Sequence, residues 1–309
     1  MNGAATSSSA GMLEAMSPPD AALVRRLVEA ALDEDGARRD VTTRALVGPD
    51  QRGAGVFVAK GQGVVAGLPV AAAVFAALDP SLSWRPLLNE GAVASPGDEL
   101  ARVEGPLAPI LSGERVALNF LQRLSGIATA TRRCVDAVAG LPVRILDTRK
   151  TTPGLRALER YAVRVGGGHN HRFNLSDGAL IKDNHLAAGR ARGLTVAGVV
   201  REARAGVPHT LRIEVEVTAF EEAEEALAAG ADVLLLDNMS LSEMRRVAAM
   251  ASIYEGRAGG RDVLLEASGG VTLDNVRAVA ETGVDVISIG ALTHSAPALD
   301  ISLDVAAEA

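Results

Sequence analysis

Hydrophobic and polar positions give this chain two textures. In the N-terminal part, Leu23, Leu27 and Val28 recur at helical spacing behind Asp20, a residue type that caps helix N-termini, so Ala21 to Asp33 reads as a helix. Gly55 to Ala59 and Gly63 to Ala66 are short apolar runs of strand character. Pro69 to Leu78 is helical, with proline in its first turn. Asn89 to Gly105 alternates between apolar and polar residues, with turn signals at Gly91, Pro96-Gly97 and Gly105. The expectation is a small sheet with helices on one side. Pro109 to Ala139 follows as a long helix, bent at Ser125-Gly126.

The texture then becomes a regular alternation. Apolar runs occupy Val143–Leu146, Ala179–Ile181, Leu211–Val217, Val233–Leu236, Val263–Leu265 and Val286–Ile289. Helical patterns such as Phe220–Ala229, Leu241–Ile253 and Leu273–Glu281 lie between most of them. Strands alternating with helices predict a parallel sheet. Six such units, with a seventh left open, favour a barrel or open barrel over a doubly wound sheet.

Composition narrows the function. A length of 309 residues allows one large or two ordinary domains. The net charge of −7 and the small number of aromatic residues argue against nucleic-acid binding, which needs a basic footprint and stacking platforms. Cys134 is the only cysteine, which excludes intrachain disulfides and thiolate zinc clusters and fits a reducing cytoplasm. No run reaches the ~18 apolar residues of a membrane span; Val64 to Leu78 is interrupted by Gly67 and Pro69. Residues 1–19 are small and polar, with no basic residue before Arg25, and read as a disordered lead-in rather than a signal peptide. Only three lysines occur among 31 basic residues: Lys60, Lys150 and Lys182. A lysine kept where arginine is the default is a place to look for a needed ammonium.

The residues after each apolar run carry the chemistry. The runs lead in turn into Asp147-Thr148-Arg149-Lys150, Lys182-Asp183-Asn184-His185, Asp237-Asn238 and Glu266-Ala267-Ser268-Gly269-Gly270. The last contains Ser288 and ends at Gly290. In parallel βα barrels the C-terminal ends of the strands host the active site. Glu214 and Glu216 alternate with Ile213, Val215 and Val217, so the glutamates are expected to point inward, Glu216 nearer the functional end. From Arg144 to His185 there are eight Lys/Arg and four Asp/Glu, so this stretch is +4 and the rest of the chain −11. A basic pocket in an acidic protein points to a small anionic ligand. Metal binding by His169, His171 and His185 is the rival reading, disfavoured by the neighbouring arginines. Ser268-Gly269-Gly270, with Val271-Thr272 opening a helix, reads as a phosphate cradle, completed by Ser288 and Gly290.

These motifs are specific in combination. Asp147-Thr148-Arg149-Lys150-Thr151-Thr152-Pro153-Gly154-Leu155-Arg156, Gly166-Gly167-Gly168 with His171-Arg172, and Leu180-Ile181-Lys182-Asp183-Asn184-His185 resemble quinolinate phosphoribosyltransferase. So do Ser112-Gly113-Glu114-Arg115-Val116-Ala117-Leu118-Asn119-Phe120, the Glu-Val-Glu strand, Leu236-Asp237-Asn238 and Glu266–Gly270. The resemblance implies an N-terminal α/β sandwich domain over residues 20–118, joined by the C-terminal tail 292–309, and an open, TIM-like α/β barrel over 119–291. It implies transfer of phosphoribose from phosphoribosyl pyrophosphate to quinolinate, giving nicotinate mononucleotide, pyrophosphate and carbon dioxide in de novo NAD synthesis, with Mg²⁺. It also implies a homodimer whose sites are shared across the interface, with assembly to a hexamer left open.

The residue types suit that chemistry. Arginine forks bind carboxylates bidentately, so Arg149, Arg172 and Arg115 are expected to clamp quinolinate, Arg115 from the partner subunit by analogy with the family. His171 can add a donor, and Thr148 lies in the same motif. Lys150 and Lys182 suit the pyrophosphate side, and Ser268, Gly269, Gly270, Ser288 and Gly290 the 5′-phosphate. Glu216 and Asp237 suit the ribose hydroxyls or Mg²⁺ and a developing oxocarbenium ion, which makes them, with Lys150, the expected catalytic residues. Rival readings are a nicotinate phosphoribosyltransferase, a Schiff-base aldolase using Lys150 or Lys182, and a carrier domain around Lys60.

Overall fold

The computed structural model describes residues 19–255 and 262–308, so the lead-in expected over residues 1–19 lies outside the described residues except for Pro19. Contacts divide the chain into two compact units. The first is Met1–Arg132, Thr151–Gly167 and Leu292–Ala309; the second is Arg133–Lys150 and Gly168–Ala291. The long helix therefore counts with the first unit as far as Arg132, and so does the segment 151–167.

The first unit is built on a four-stranded antiparallel sheet. Its elements are α1 (Ala21–Asp35), α2 (Val41–Leu46), β1 (Arg52–Ala59), the short β2 (Gly63–Val64), α3 (Leu68–Leu78), β3 (Ser83–Pro86), the short β4 (Val93–Ala94), β5 (Glu99–Pro106) and α4 (Leu107–Ala137). The sheet order is β12-β1-β5-β3, with β12 (Ile301–Ala307) supplied by the C-terminus. The Asp20 carboxylate accepts the Leu23 N–H at 2.9 Å, which caps α1 as the sequence predicts. Left-handed Gly36 ends that helix. Phe57, Phe75 and Trp84 pack with ring centroids 5.4–6.0 Å apart. In β1 every second residue is buried, which ties the hydrophobic alternation to one covered face.

The C-terminal segment is fastened by specific contacts. Strand β12 pairs antiparallel with β1 from Gly53↔Ala307 to Ala59↔Ile301. Helix α4 runs unbroken through Ser125-Gly126, where the sequence suggests a bend. The glycine serves a close approach instead: a Cβ there would lie 2.0 Å from the Pro297 carbonyl oxygen. Arg123 donates to the Ala296 and Thr293 carbonyls and pairs with fully buried Glu159 at 2.8 Å. The Glu159 carboxylate is satisfied further by the Thr152 N–H and hydroxyl. A buried charge with this many donors avoids the cost of an unpaired one.

The second unit is a six-stranded, wholly parallel sheet. Its strands are β6 (Arg144–Leu146), β7 (Ala179–Ile181), β8 (Ile213–Val217), β9 (Val233–Asp237), β10 (Leu264–Ser268) and β11 (Val286–Ser288). They match the six apolar runs. Helices α6 (Asp183–Arg190), α7 (Val196–Gly206), α8 (Phe220–Ala228), α9 (Leu241–Glu255) and α10 (Val276–Ala280) come between them; α5 (Arg156–Val165) and α11 (Ala291–His294) belong to the first unit. The order β6-β11-β10-β9-β8-β7 is that of a barrel opened between its first and second strands. Among the described residues no ladder joins β6 to β7. A single bridge lies at that gap: His169 donates its N–H to the Ile145 carbonyl at 2.8 Å and accepts the Asp147 N–H at 3.1 Å. The opening therefore receives the segment carrying His171 and Arg172.

Candidate active site

Parallel register decides which side chains share the inner face, because paired residues on neighbouring strands point the same way. Leu180 pairs with Glu214, and Glu216, Leu235 and Glu266 stand side by side on β8, β9 and β10. Ser268 pairs with Asp237. Glu214 and Glu216 are both buried on the inner face, as their alternation predicts, with Ile213, Val215 and Val217 completing a wholly buried strand.

A cavity of about 320 Å³ opens at the C-terminal ends of these strands. Thr148, Arg149 and Lys150 line it from the loop after β6, and Lys182 from the end of β7. His171 and Arg172 enter from the segment at the barrel opening. Glu216, Asp237, Ser268 and Ser288 complete the polar wall, with Leu180 and Leu235 as its apolar part. Ten of the fourteen residues expected from sequence thus come together in one hollow. Gly269, Gly270 and Gly290 lie in the adjoining chain but do not line it. Arg115 belongs to the first unit, on α4, where it is exposed beside Glu114.

Glu266 was not expected here, and it lines the same cavity. Its position in the Glu-Ala-Ser-Gly-Gly motif marks it, but only the register with Leu235 and Glu216 turns it inward. A larger cavity of about 460 Å³ opens at the opposite end of the strands, lined by Arg144, His169 and Arg212. His171, Arg172 and Glu266 line both hollows. Size does not identify the active site. The smaller cavity carries both lysines of the second unit and lies at the functional end of the strands.

The electrostatics of the site are unbalanced toward cations at the rim and anions at the floor. Lys182 Nζ pairs with Glu216 Oε2 at 2.7 Å, and the Asp183 N–H approaches the other oxygen at 3.4 Å. Burial, then the like charge of Arg149, pushes Arg172 below the ordinary guanidinium value, while Glu214 acts in the opposite direction. Arg172 Nη1 also donates to the Gly178 carbonyl at 2.9 Å, which fixes its guanidinium group. Two guanidinium groups held against their repulsion form a receptor for an anion with two acceptor ends.

The loops behind the serines interlock. Gly269 has φ +85°, and a Cβ there would lie 2.4 Å from Asn238 Oδ1. Asn238 itself is left-handed (φ 53°), donates its N–H to the Ser268 carbonyl at 3.0 Å, and bonds Asp237 through Nδ2 at 2.9 Å. Ser288 and Ser268 hydroxyls meet at 3.1 Å. One expectation is corrected: no helix opens at Val271-Thr272. The Thr272 N–H donates to Asn275 Oδ1 and Asn275 Nδ2 donates back to the Gly270 carbonyl, closing a turn, and α10 begins only at Val276. A phosphate site here would use the glycine loop and the serine hydroxyls, without a helix terminus.

His171, Glu214 and Glu266 bring potential metal-binding atoms within 4.8 Å of one another. However, although burial disfavours a charged ring, Glu214 and Glu266 outweigh it and raise the His171 pKa to about 10, and a protonated ring offers a metal no lone pair. Glu216 and Asp237 are the better donor set for Mg²⁺, a hard ion held by one or two carboxylates and substrate phosphates.

Residues 40–125 match the family model for the N-terminal domain of quinolinate phosphoribosyl transferase, and residues 127–304 that for its C-terminal domain. A probable nicotinate-nucleotide pyrophosphorylase (carboxylating) of Synechocystis is 45% identical over 274 residues, 89% of this chain and 90% of its own. The human nicotinate-nucleotide pyrophosphorylase (carboxylating) is 42% identical, covering 90% and 92%. The crystal structure of NadC from Streptococcus pyogenes superposes with a TM-score of 0.87 at 38% identity, covering 95% of this chain and 100% of that one. With both halves of the chain matched, and with the arginine, lysine and glutamate constellation standing at the C-terminal ends of an open parallel barrel, the chain belongs to the quinolinate phosphoribosyltransferase family.

Proposed function

We propose that the 320 Å³ cavity is where this chain carries out its family's reaction. That reaction joins quinolinate to the ribose of phosphoribosyl pyrophosphate with loss of carbon dioxide, giving nicotinate mononucleotide and pyrophosphate for NAD synthesis. The observation that carries the assignment is that Arg149 and Arg172 line the same cavity and repel one another there. Quinolinate has two carboxylates on adjacent ring carbons. A mononegative ring would leave one guanidinium without a counter-charge.

Arg149 and Arg172 bind the two carboxylates and hold the ring nitrogen toward the ribose. Lys150 and Lys182 offset the pyrophosphate charge as it leaves. Ser268 and Ser288, with the backbone of Gly269, Gly270 and Gly290, take the 5′-phosphate. Glu216 and Asp237 hold the ribose hydroxyls and stabilise the positive charge that develops at the anomeric carbon. The same two carboxylates would hold Mg²⁺, which when bound supplies charge neutralisation on the pyrophosphate. Once the ring nitrogen is bonded and cationic, it stabilises the carbanion left by the departing carboxylate, and that carbon then takes a proton from water, so no covalent nucleophile is needed. The work of the protein is positioning and charge complementarity.

Arg115 completes the clamp from a partner subunit, which makes the active form a homodimer, and the enzyme acts in the cytoplasm. Among the described residues no helix is long and apolar enough to cross a membrane. The test is release of labelled carbon dioxide from carboxyl-labelled quinolinate. It is expected to require phosphoribosyl pyrophosphate and to fall sharply in Arg172→Ala. Undiminished release in that variant refutes the assignment of the clamp. Mixing inactive Arg115→Ala and Lys150→Ala subunits tests sharing: partial recovery is expected, and none despite subunit exchange refutes it.

A further inference from the structure

Between the two cavities stands a group of side chains that the reaction above does not use. Glu214 and Glu266 approach His171 Nε2 with their Oε1 atoms at 3.5 and 3.4 Å. The Glu266 side chain is 4% exposed, and neither Oε1 atom has a hydrogen-bond partner, so the contact of both with the ring is an ion pair. Burial disfavours a charged ring, but the two glutamates outweigh it and raise the His171 pKa to about 10. On the other side of the ring, Nδ1 lies 2.7 Å from the Arg172 amide nitrogen. The His171 N–H donates to Asp147 Oδ1 at 2.8 Å, and Asn170 Nδ2 donates to Oδ2 at 2.6 Å, with Asp147 fully buried. The backbone on both sides of His171 and the ring itself are thus fixed, and the next residue is one arm of the clamp.

We propose that Glu214 and Glu266 are positioning residues for quinolinate: two buried carboxylates that hold the His171 ring in one orientation, and with it the backbone from which Arg172 enters the cavity. Two buried carboxylates are costly unless they are paired, because a buried charge without a partner loses its hydration. Here both share the one ring. Rotation of the ring away from either oxygen weakens its attraction to both and disturbs the backbone at Arg172. The two glutamates come from β8 and β10, so the sheet itself sets the angle of the clamp. The inference rests on the reading of Arg149 and Arg172 as the carboxylate clamp.

The test measures binding of benzene-1,2-dicarboxylate, which has the two carboxylates of quinolinate without the ring nitrogen, and of benzoate as a monocarboxylate control. The proteins are the full-length enzyme and its Glu266→Ala, Glu266→Gln, His171→Ala and Glu266→Ala/His171→Ala variants. Glu266→Ala is expected to weaken the dicarboxylate about tenfold or more and benzoate by less than about threefold, with KM for phosphoribosyl pyrophosphate within about twofold. Glu266→Gln, which keeps an acceptor oxygen, is expected to recover much of the loss. In the His171→Ala background the Glu266→Ala change should add less than about twofold, because the two act through one linkage. Additive losses, or equal losses for both ligands and phosphoribosyl pyrophosphate, overturn the inference. If Arg172→Ala binds the dicarboxylate as tightly as wild type, the clamp reading fails and this inference with it. If Arg172→Ala loses binding and Glu266→Ala does not, only the inference fails. Nitrogen NMR of histidine-labelled wild-type enzyme gives a readout that does not depend on a variant folding: a His171 ring protonated on both nitrogens at neutral pH is expected, and a neutral ring overturns the proposal.

Discussion

Gly126→Ala sets local propensity against tertiary packing with both magnitudes known. Gly126 lies inside the 31-residue helix α4, and alanine in a helix interior is favoured over glycine by about 1 kcal/mol. The sequence alone predicts stabilisation. In the fold, the new Cβ would lie 2.0 Å from the Pro297 carbonyl oxygen and 3.0 Å from the Pro297 carbonyl carbon and the Ala298 Cα. All three are main-chain atoms, so no rotamer change removes the overlap. The segment must move away from α4, and its links go with it: Leu299 N–H to the Gln122 carbonyl at 3.0 Å, Gln122 Nε2 to the Ile301 carbonyl at 2.8 Å, and Arg123 to the Ala296 carbonyl at 3.2 Å. Three hydrogen bonds at about 1 kcal/mol each outweigh the propensity gain and leave a net loss of about 2 kcal/mol, in the range of other overpacked sites. For a unit of this size that lowers the thermal midpoint by roughly 4–8 °C. Thermal unfolding followed by circular dichroism, together with urea titration, measures both quantities. An unchanged or raised midpoint refutes the reasoning, because it would mean the C-terminal segment is not held against α4.

Arg172→Ala is expected to lower kcat/KM for quinolinate by about 30–150-fold, from roughly 2–3 kcal/mol of lost charge-assisted binding after relief of the Arg149 repulsion, with KM for phosphoribosyl pyrophosphate nearly unchanged; steady-state kinetics with each substrate varied separates the two. Gly269→Ala is expected to raise KM for phosphoribosyl pyrophosphate about tenfold or more, because a side chain at φ +85° and 2.4 Å from Asn238 forces apart the loops after β9 and β10. Normal kinetics would show that this loop does not hold the 5′-phosphate. Burial raises the carboxyl pKa of Glu90 above its usual value, although it accepts bonds from Tyr161 Oη at 2.5 Å and from the Gly67 and Leu68 amides. A raised folded-state pKa means that the folded form keeps a proton the unfolded chain has lost. The contribution to stability is therefore full below about pH 4.5 and falls as pH rises through the folded value. Thermal midpoints measured against pH should show that decline in the wild type and a flatter profile in Glu90→Gln; equal slopes would count against it.

Much of the barrel is legible in the chain because its information is local. A strand buried on both faces must be apolar, and an inward carboxylate interrupts that pattern visibly, as Glu214 and Glu216 do in β8. The six runs, the +4 segment of an acidic chain and two of three lysines at strand ends point to an anion site at the C-terminal ends of the strands, and the family motifs supply the individual residues, ten of which line the cavity. Lys60 shows the limit of the lysine argument: it lies after β1 in the first unit, beside Asp304, and has no part in the cavity. Strand β12 is not legible in the sequence because Ile301–Ala307 is largely exposed and weakly alternating, and its identity as a strand comes from pairing with β1 some 250 residues earlier in the chain.

What the sequence determined by itself were element types, the charge of the ligand and the family motifs, because these depend on residue identity and spacing. What only the tertiary structure decided depends on register and approach. Parallel pairing alone turns Glu266 into the same layer as Glu216, and the gap between β6 and β7 alone brings His171 and Arg172 into the barrel. The placement of His171 follows from Asp147 after β6 and two carboxylates on β8 and β10, three different segments. Hydrophobic periodicity says which face of a strand is inside. It carries no information on which residue of the neighbouring strand stands beside it, because that offset is fixed by the packing of the whole sheet.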